Sequence, residues 1–372
     1  MPSVTPLSGR QPDFAQLRTA LFCGQPDYVP ALELFHDVEV KEAFLGRPLR
    51  TLADDIEFHY LAGYDCYGAW VNYRGLADAI AARLNKRKTV TDSPYDHVRE
   101  RSWAPEQEAL IKSLAELNEF PWPEPGADLT VAGHGLPPVP LRQGVREIVG
   151  ALPPGMGLIL MTDGIFERFT KDIMGYQAFC YTLADNPDLV ARMFAKVGEL
   201  WLALYEEASS LPGVDALWLA DDIAYAQGLM FSPSVMRKYL FPWYRSIGKV
   251  AASHKQAFLF HSDGDLRPIL PDLVACGIKA IQPIEPKAMD IAELKRDYAG
   301  RLCLVGNIDL SYTLTLGTPE DVRAEVRERL RTIGPGGGYC VGSSNSVTNY
   351  VPLVNFQAML EATFEYGRYP LS

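Results

Sequence analysis

"FLFHSDGDLRPIL", residues 258–270, runs through apolar positions into His261, and Asp263 and Asp265 follow within a Ser-Asp-Gly-Asp turn. A run of this kind reads as a buried strand that ends on an imidazole and two carboxylates. Five more stretches share the design: "GLILMTDG" (157–164), "ALWLADDI" (216–223), "KAIQPIEP" (279–286), "LCLVGNIDL" (302–310) and "GYCVGSSNS" (338–346). Their near-continuous apolar character is that of parallel strands covered on both faces. Amphipathic stretches separate them, with recognisable helix starts. Ser232-Pro233 opens one toward His254, and Thr318-Pro319-Glu320-Asp321 opens another with acids in its first turn. Gly277, Gly300 and Gly334 each follow a helical stretch, where a left-handed capping residue is expected. Two runs upstream, "YVPALELFHD" (28–37) and "EFHYLAGYDCY" (57–67), bring the strands to eight. Eight alternating β and α units predict an α/β fold of one type, a closed (β/α)8 barrel. The expectation is a single domain over residues 1–372, with a helical and loop insertion at about 75–154 between the second and third strands. That insertion carries "RLNKRK" and "HVRER", read as a solvated helix face, and a proline-rich span.

Bulk properties narrow the function. The chain has 372 residues, 48% hydrophobic and 22% charged, and a formal net charge of −11. The acidic balance argues against nucleic acid and against an anionic membrane surface as partners. No apolar run is long enough to span a bilayer, and the N-terminal residues lack the pattern of a secretory signal. Six scattered cysteines without a C-x-x-C pair fit reduced thiols in a cytoplasm.

In such barrels the chemistry sits where strands end at their C-terminal side. Those ends here offer Glu33 and His36, Tyr64 and Asp65, Asp163, Asp221 and Asp222, His261 and Asp263, Glu285, Asn307 and Asp309, and Ser343, Ser344 and Asn345. Strand interiors carry almost no charge, and a buried unpaired carboxylate costs several kcal/mol. A ring of acids is therefore expected only around solvent, a metal, a partner group or substrate. His261 and Asp263 are spaced by two, so both project from one face of the strand into one space. They are the central catalytic candidates, with Asp222 beside them. Asp221 and Asp222 have an ordinary alternative as helix caps, and Asp309 as a turn residue. Glu33, His36, Tyr64, Asp163, Phe166, Asp309 and Asn345 are candidates for substrate binding, and Phe35, Tyr60, Tyr225 and Phe231 could line an apolar pocket, though such residues more often fill core.

The progression from "FLFHSDGDLRPILPDLVACGIKAIQPIEP" through "LVGNID" and "GTPEDV" to "GPGGGYCVGSSNSV" resembles the uroporphyrinogen decarboxylase family, which includes corrinoid-dependent methyltransferases serving coenzyme M. The resemblance is good over about residues 155–370 and weaker from about Phe14. It implies a (β/α)8 barrel, often dimeric. Two family sites are altered. The decarboxylases place arginines after the first strand, where "LELFHDVEV" has none, and a histidine in the last loop, where Ser343-Ser344-Asn345 stand. A substrate with many carboxylates therefore fits poorly. The thiol-directed methyltransferases hold zinc through His-x-Cys and a later cysteine. Here His261 keeps the histidine position, Asp263 replaces the first cysteine, and Ser343 or Ser344 stands near the second. The resemblance then implies either zinc on a harder set, His261, Asp263 and Glu285 with Asp222, or a metal-free site in which His261 and an aspartate move protons.

The preferred reading is a corrinoid-linked methyltransferase or O-demethylase component acting on a small methylated substrate, with cobalamin on a separate partner protein. The alternatives are a decarboxylase or related lyase of a less charged acid, and a non-catalytic barrel that binds a corrinoid or tetrapyrrole.

Overall fold

The structure, a computed structural model, describes residues 5–83 and 109–371; the basic stretches "LNKRK" and "HVRER" lie outside them. Eleven strands are present among the described residues. They are β1 (Cys66–Tyr73), β2 (Leu129–Ala132), β3 (Val139–Pro140), β4 (Gly157–Asp163), β5 (Val214–Ala220), β6 (Ala224–Tyr225), β7 (Gly228–Leu229), β8 (Ala257–His261), β9 (Ala280–Gln282), β10 (Cys303–Val305) and β11 (Tyr339–Cys340). The main sheet runs β11-β10-β9-β8-β5-β4-β1-β2-β3. From β1 through β4, β5, β8, β9 and β10 to β11 every pairing is parallel, with helices between successive members. Residues 29–36 take the eighth place beside β11, through a parallel bridge from Ala31 to Val341. Pro30 has no N–H to donate; Leu32 N–H bonds Val341 O, Val341 N–H bonds Pro30 O, and farther along Val347 N–H bonds Phe35 O. The result is an α/β barrel, as eight βα units predict.

Alternation along the strands divides their side chains between two cores. Ile159 and Met161, Ala216, Trp218 and Ala220, Ala257 and Leu259, Ala280, Cys303 and Val305, and Cys340 pack together inside the barrel. Leu158 and Leu160, Leu217 and Leu219, Phe258 and Phe260, Ile281 and Leu304 pack outward under the helices. Each fully buried aliphatic or aromatic side chain contributes roughly 1.5–3 kcal/mol. The helix Phe14–Leu21 joins the inner cluster through Phe14, Leu17, Ala20 and Leu21.

The helix starts fall where predicted. Ser232 Oγ accepts from Val235 N–H, and Thr318 with Asp321 forms a reciprocal capping box over Pro319–Ile333. Two expectations are corrected. Residues 57–67 are not the second strand: Leu52–Ala62 is a helix, and the strand is β1, starting at Cys66. Thr51 and Asp54 form a capping box at its start, and Gly63 ends it in the left-handed conformation (φ 89°). Those local signals outweigh the apolar run of the stretch. Gly277 and Gly300 are left-handed (φ 93° and 74°), but Gly334 has φ −59° and is not; the left-handed glycines there are Gly336, Gly337 and Gly338.

Residues 74–156 between β1 and β4 hold the helices Arg74–Arg83, Leu114–Glu119 and Leu141–Ala151, and an antiparallel extension in which β2 pairs with β1 and β3 with β2. Among the described residues no helix is long and apolar enough to cross a membrane.

Candidate functional site

The inner-facing register of β5 (216, 218, 220) continues to Asp222, that of β8 (257, 259) to His261 and Asp263, and that of β9 (280) to Gln282. Three neighbouring strands thus deliver polar side chains to one place. His261 Nε2 lies 3.6 Å from Asp222 Oδ1 and 3.9 Å from Asp263 Oδ1. Ligand atoms of Asp222, His261 and Asp263 all lie within 4.8 Å of one another. The imidazole is 8% exposed, and the two carboxylates are 28% and 32% exposed, so the cluster opens to solvent on its acidic side.

Its supports are specific. His261 Nδ1 meets Gln282 Oε1, and Gln282 Nε2 donates to the Asn345 carbonyl. Asn345 Nδ2 lies 2.9 Å from both oxygens of Asp263. Asp263 N–H donates to Asp222 Oδ1 at 3.1 Å, and Gly264 N–H to Glu285 Oε2 at 2.9 Å. Gly264 has φ 88°, and a Cβ there would lie 2.4 Å from the Tyr225 nitrogen, so only glycine suits the turn. Burial pushes the Asp263 carboxyl up to about 7; His261 and Asn345 oppose the rise, while Asp222 and Glu285 add to it. Desolvation, more than the neighbouring acids, sets that proton affinity.

Glu285 is therefore an outer neighbour of the cluster and not one of the three converging groups. The serines at the position of the family's cysteine are also engaged elsewhere. Ser343 donates its N–H (2.6 Å) and Oγ–H (2.8 Å) to Glu33, and Ser344 Oγ accepts from Leu310 N–H.

Asp221 differs from Asp222 because it has the outward register. It is fully buried and accepts from Phe166 N–H (3.0 Å), Glu167 N–H (2.8 Å) and Tyr244 Oη–H (2.6 Å). It holds the start of the turn after β4, where a Cβ on Gly164 would overlap it. Burial pushes its carboxyl up to about 7, against those hydrogen bonds.

The other predicted positions are scattered. Glu33 is sealed, and burial pushes its carboxyl up to about 8 despite the two Ser343 bonds. His36 and Tyr64 are buried, with Nε2 and Oη 2.9 Å apart. His36 packs against Phe58, His59 and Phe356, and burial holds it well below the usual histidine range. A cavity of about 20 Å³ beside these residues has room for about one water. Tyr64 and Asp65 precede β1 and do not close a strand; Asp65 is buried against Arg10, Asp13 N–H and Tyr28 Oη. Phe166 is fully buried in a ring cluster with Phe169, Phe179 and Phe231, which makes it core. Asp163 pairs with Arg168. Asp309 accepts from Ser311 N–H at 2.8 Å, a turn arrangement. Tyr225 is 50% exposed and follows the site strand β5. Of the substrate-binding candidates, Asn345 is the one in hydrogen-bond contact with the cluster. Gln282 was missed: it reads as an ordinary residue inside an apolar run, and only its inner register marks it.

Residues 125–366 match the family model described as uroporphyrinogen decarboxylase (URO-D). The chain is 28% identical over 222 residues to the methylcobamide:CoM methyltransferase MtaA of Methanosarcina barkeri, a match covering 60% of this chain and 61% of that protein. It is 25% identical over 230 residues to the uroporphyrinogen decarboxylase of Chlorobaculum tepidum, covering 60% of each. The matches thus span about three fifths of the length of these curated relatives. A solved methyltransferase from Methanosarcina mazei shares the fold with a TM-score of 0.65 at 18% identity, over 97% of this chain and 99% of that one. The family match covers well over half of the chain: it belongs to the uroporphyrinogen decarboxylase family.

Proposed function

We propose that this protein is a corrinoid-linked methyltransferase that takes a methyl group from a small methylated substrate, such as a methoxy compound, and passes it to a corrinoid on a separate protein. The single observation that carries the reading is the convergence of Asp222, His261 and Asp263 within 4.8 Å at the inner ends of β5 and β8. Three groups that bind cations, two of them acidic, stand together in a half-open place with Glu285 next to them. Such a set is costly by itself and is satisfied by a divalent cation.

The donors fit zinc or a similar ion: one imidazole and two carboxylates are known ligand types for it, though harder than a set with thiolates. When bound, the ion would supply Lewis acidity toward an ether oxygen or similar heteroatom. The chain's own residues do the rest. His261, Asp222 and Asp263 would hold the ion, Asn345 orients the Asp263 carboxylate, and Glu285 adds a further acid beside it. That field favours neutral or cationic substrates over polyanions. The partial exposure of the two carboxylates is where the site meets solvent, and the substrate would enter from that side.

The test is methyl transfer from a panel of methoxylated and methylated-amine compounds to cob(I)alamin, followed by the conversion of its absorption to that of methylcob(III)alamin. The reading expects turnover with at least one neutral or cationic donor and its loss in His261→Ala. Carbon dioxide release from carboxylic acids without any methyl transfer would replace it with a lyase. Tight corrinoid binding with no turnover of any donor would replace it with a carrier.

A further inference from the structure

We infer that Gln282 is the positioning residue that fixes which nitrogen of His261 faces the two aspartates, an assignment that rests on reading those groups as a cation site. Gln282 is buried on the inner face of β9, and both ends of its amide are occupied. One end meets the backbone carbonyl of Asn345, which only accepts, so that end is the NH2. The amide oxygen is then the atom that meets His261 Nδ1, and it too only accepts. His261 Nδ1 must carry the proton. A neutral imidazole has one N–H, so Nε2 presents its lone pair, and Nε2 is the nitrogen 3.6 Å from Asp222 and 3.9 Å from Asp263. Reversing the amide would set its oxygen against the Asn345 carbonyl oxygen, two acceptors with no proton between them.

Asn345 closes the circuit. Its carbonyl anchors Gln282, and its side-chain Nδ2 bonds both oxygens of Asp263. One residue of the loop after β11 therefore orients the imidazole, through Gln282, and the carboxylate directly. The ligand faces are set before any ion arrives, because every bond in the circuit is between protein groups. Hydrogen-bonded partners of metal ligands commonly contribute about 10–100-fold to affinity.

The experiment combines imidazole nitrogen NMR of the full, metal-free chain, labelled at histidine, with Zn²⁺ affinity by chelator competition. His261→Gln identifies the His261 signals by their loss. Wild type is expected to show His261 as the Nδ1–H tautomer. Gln282→Leu should lose that single tautomer and bind Zn²⁺ about 10–100-fold more weakly. Gln282→Glu, with its carboxyl protonated toward the Asn345 carbonyl and its other oxygen accepting at Nδ1, should restore Nδ1–H. An unchanged tautomer and unchanged Zn²⁺ affinity in folded Gln282→Leu overturn the inference. If that variant does not fold, Gln282→Glu decides alone: an Nε2–H signal overturns the inference, and Nδ1–H supports it. A wild type that binds no Zn²⁺ but shows Nδ1–H, lost in Gln282→Leu, removes the cation reading and leaves the positioning role standing.

Discussion

Two clusters of polar residues lie among the strand ends, and they are built in opposite ways. Around Glu33, His36 and Tyr64 everything is sealed: Glu33 takes both donors of Ser343, and His36 takes the Tyr64 hydroxyl. Around Asp222, His261 and Asp263 the groups face one another, are partly exposed, and have their outward sides held by Asp263 N–H, Gln282 and Asn345. The first arrangement is closed off from solvent, with burial raising the Glu33 carboxyl and leaving His36 Nδ1 without a hydrogen-bond partner. The second is tied back on one side and left open on the other. A polar group at a strand end is a functional candidate when its partners are arranged behind it and space lies in front.

If that contrast is right, the open cluster governs activity and the sealed ones govern stability. His261→Ala should reduce methyl transfer about a thousandfold or more, since a bound ion supplies several kcal/mol of transition-state stabilisation, at a cost of about 1–3 kcal/mol in urea denaturation from the unpaired Gln282 oxygen. Asp221→Ala, one residue from the site, should do the reverse. It strands the Tyr244 hydroxyl and two backbone N–H groups in the core and should cost about 3–5 kcal/mol in urea unfolding, whereas Asp222→Ala should stay within about 1 kcal/mol of wild type. Equal losses for the two variants would erase the distinction.

Glu33 gives a pH test of the sealed cluster. Its carboxyl is raised from an ordinary 4.5 to about 8, so the folded protein holds that proton more tightly than the unfolded chain. Its contribution is full below about 4.5, declines as pH rises, and is gone above about 8. Glu33→Gln should flatten that decline in unfolding curves measured across this window; an unchanged slope would show that the carboxyl titrates normally. The smallest expected effect is Ser343→Ala. Removing one hydroxyl donor should cost about 1 kcal/mol and leave turnover unaltered.

Much of the barrel is legible in the sequence, because parallel strands buried on both faces write themselves as short apolar runs. β4, β5 and β8 are of that kind, and the capping residues at Ser232 and Thr318 mark the helices that lead into β8 and β11. The stretch 57–67 misleads for a physical reason: an apolar run of that length suits helix or strand alike, and Thr51 with Asp54 and Gly63 are the arbiters. In the site, spacing by two joins His261 with Asp263. The same parity rule separates Asp222 from Asp221 once the inner face of β5 is set by Trp218, but it has to be carried over from the strand to its end. Partnerships across the barrel are a different matter. Glu33 and Ser343 are 310 residues apart, and Gln282 and Asn345 are 63 apart, so nothing local announces them.

The claim on which this account turns is that Asp222, His261 and Asp263 jointly hold a divalent cation. Metal analysis of the purified full chain, with Zn²⁺ titration of the metal-free protein, tests it most directly. The account predicts about one ion per wild-type chain and its loss in both His261→Ala and Asp263→Ala. Equal metal in all three proteins, or a wild type that takes up no divalent cation, would contradict it.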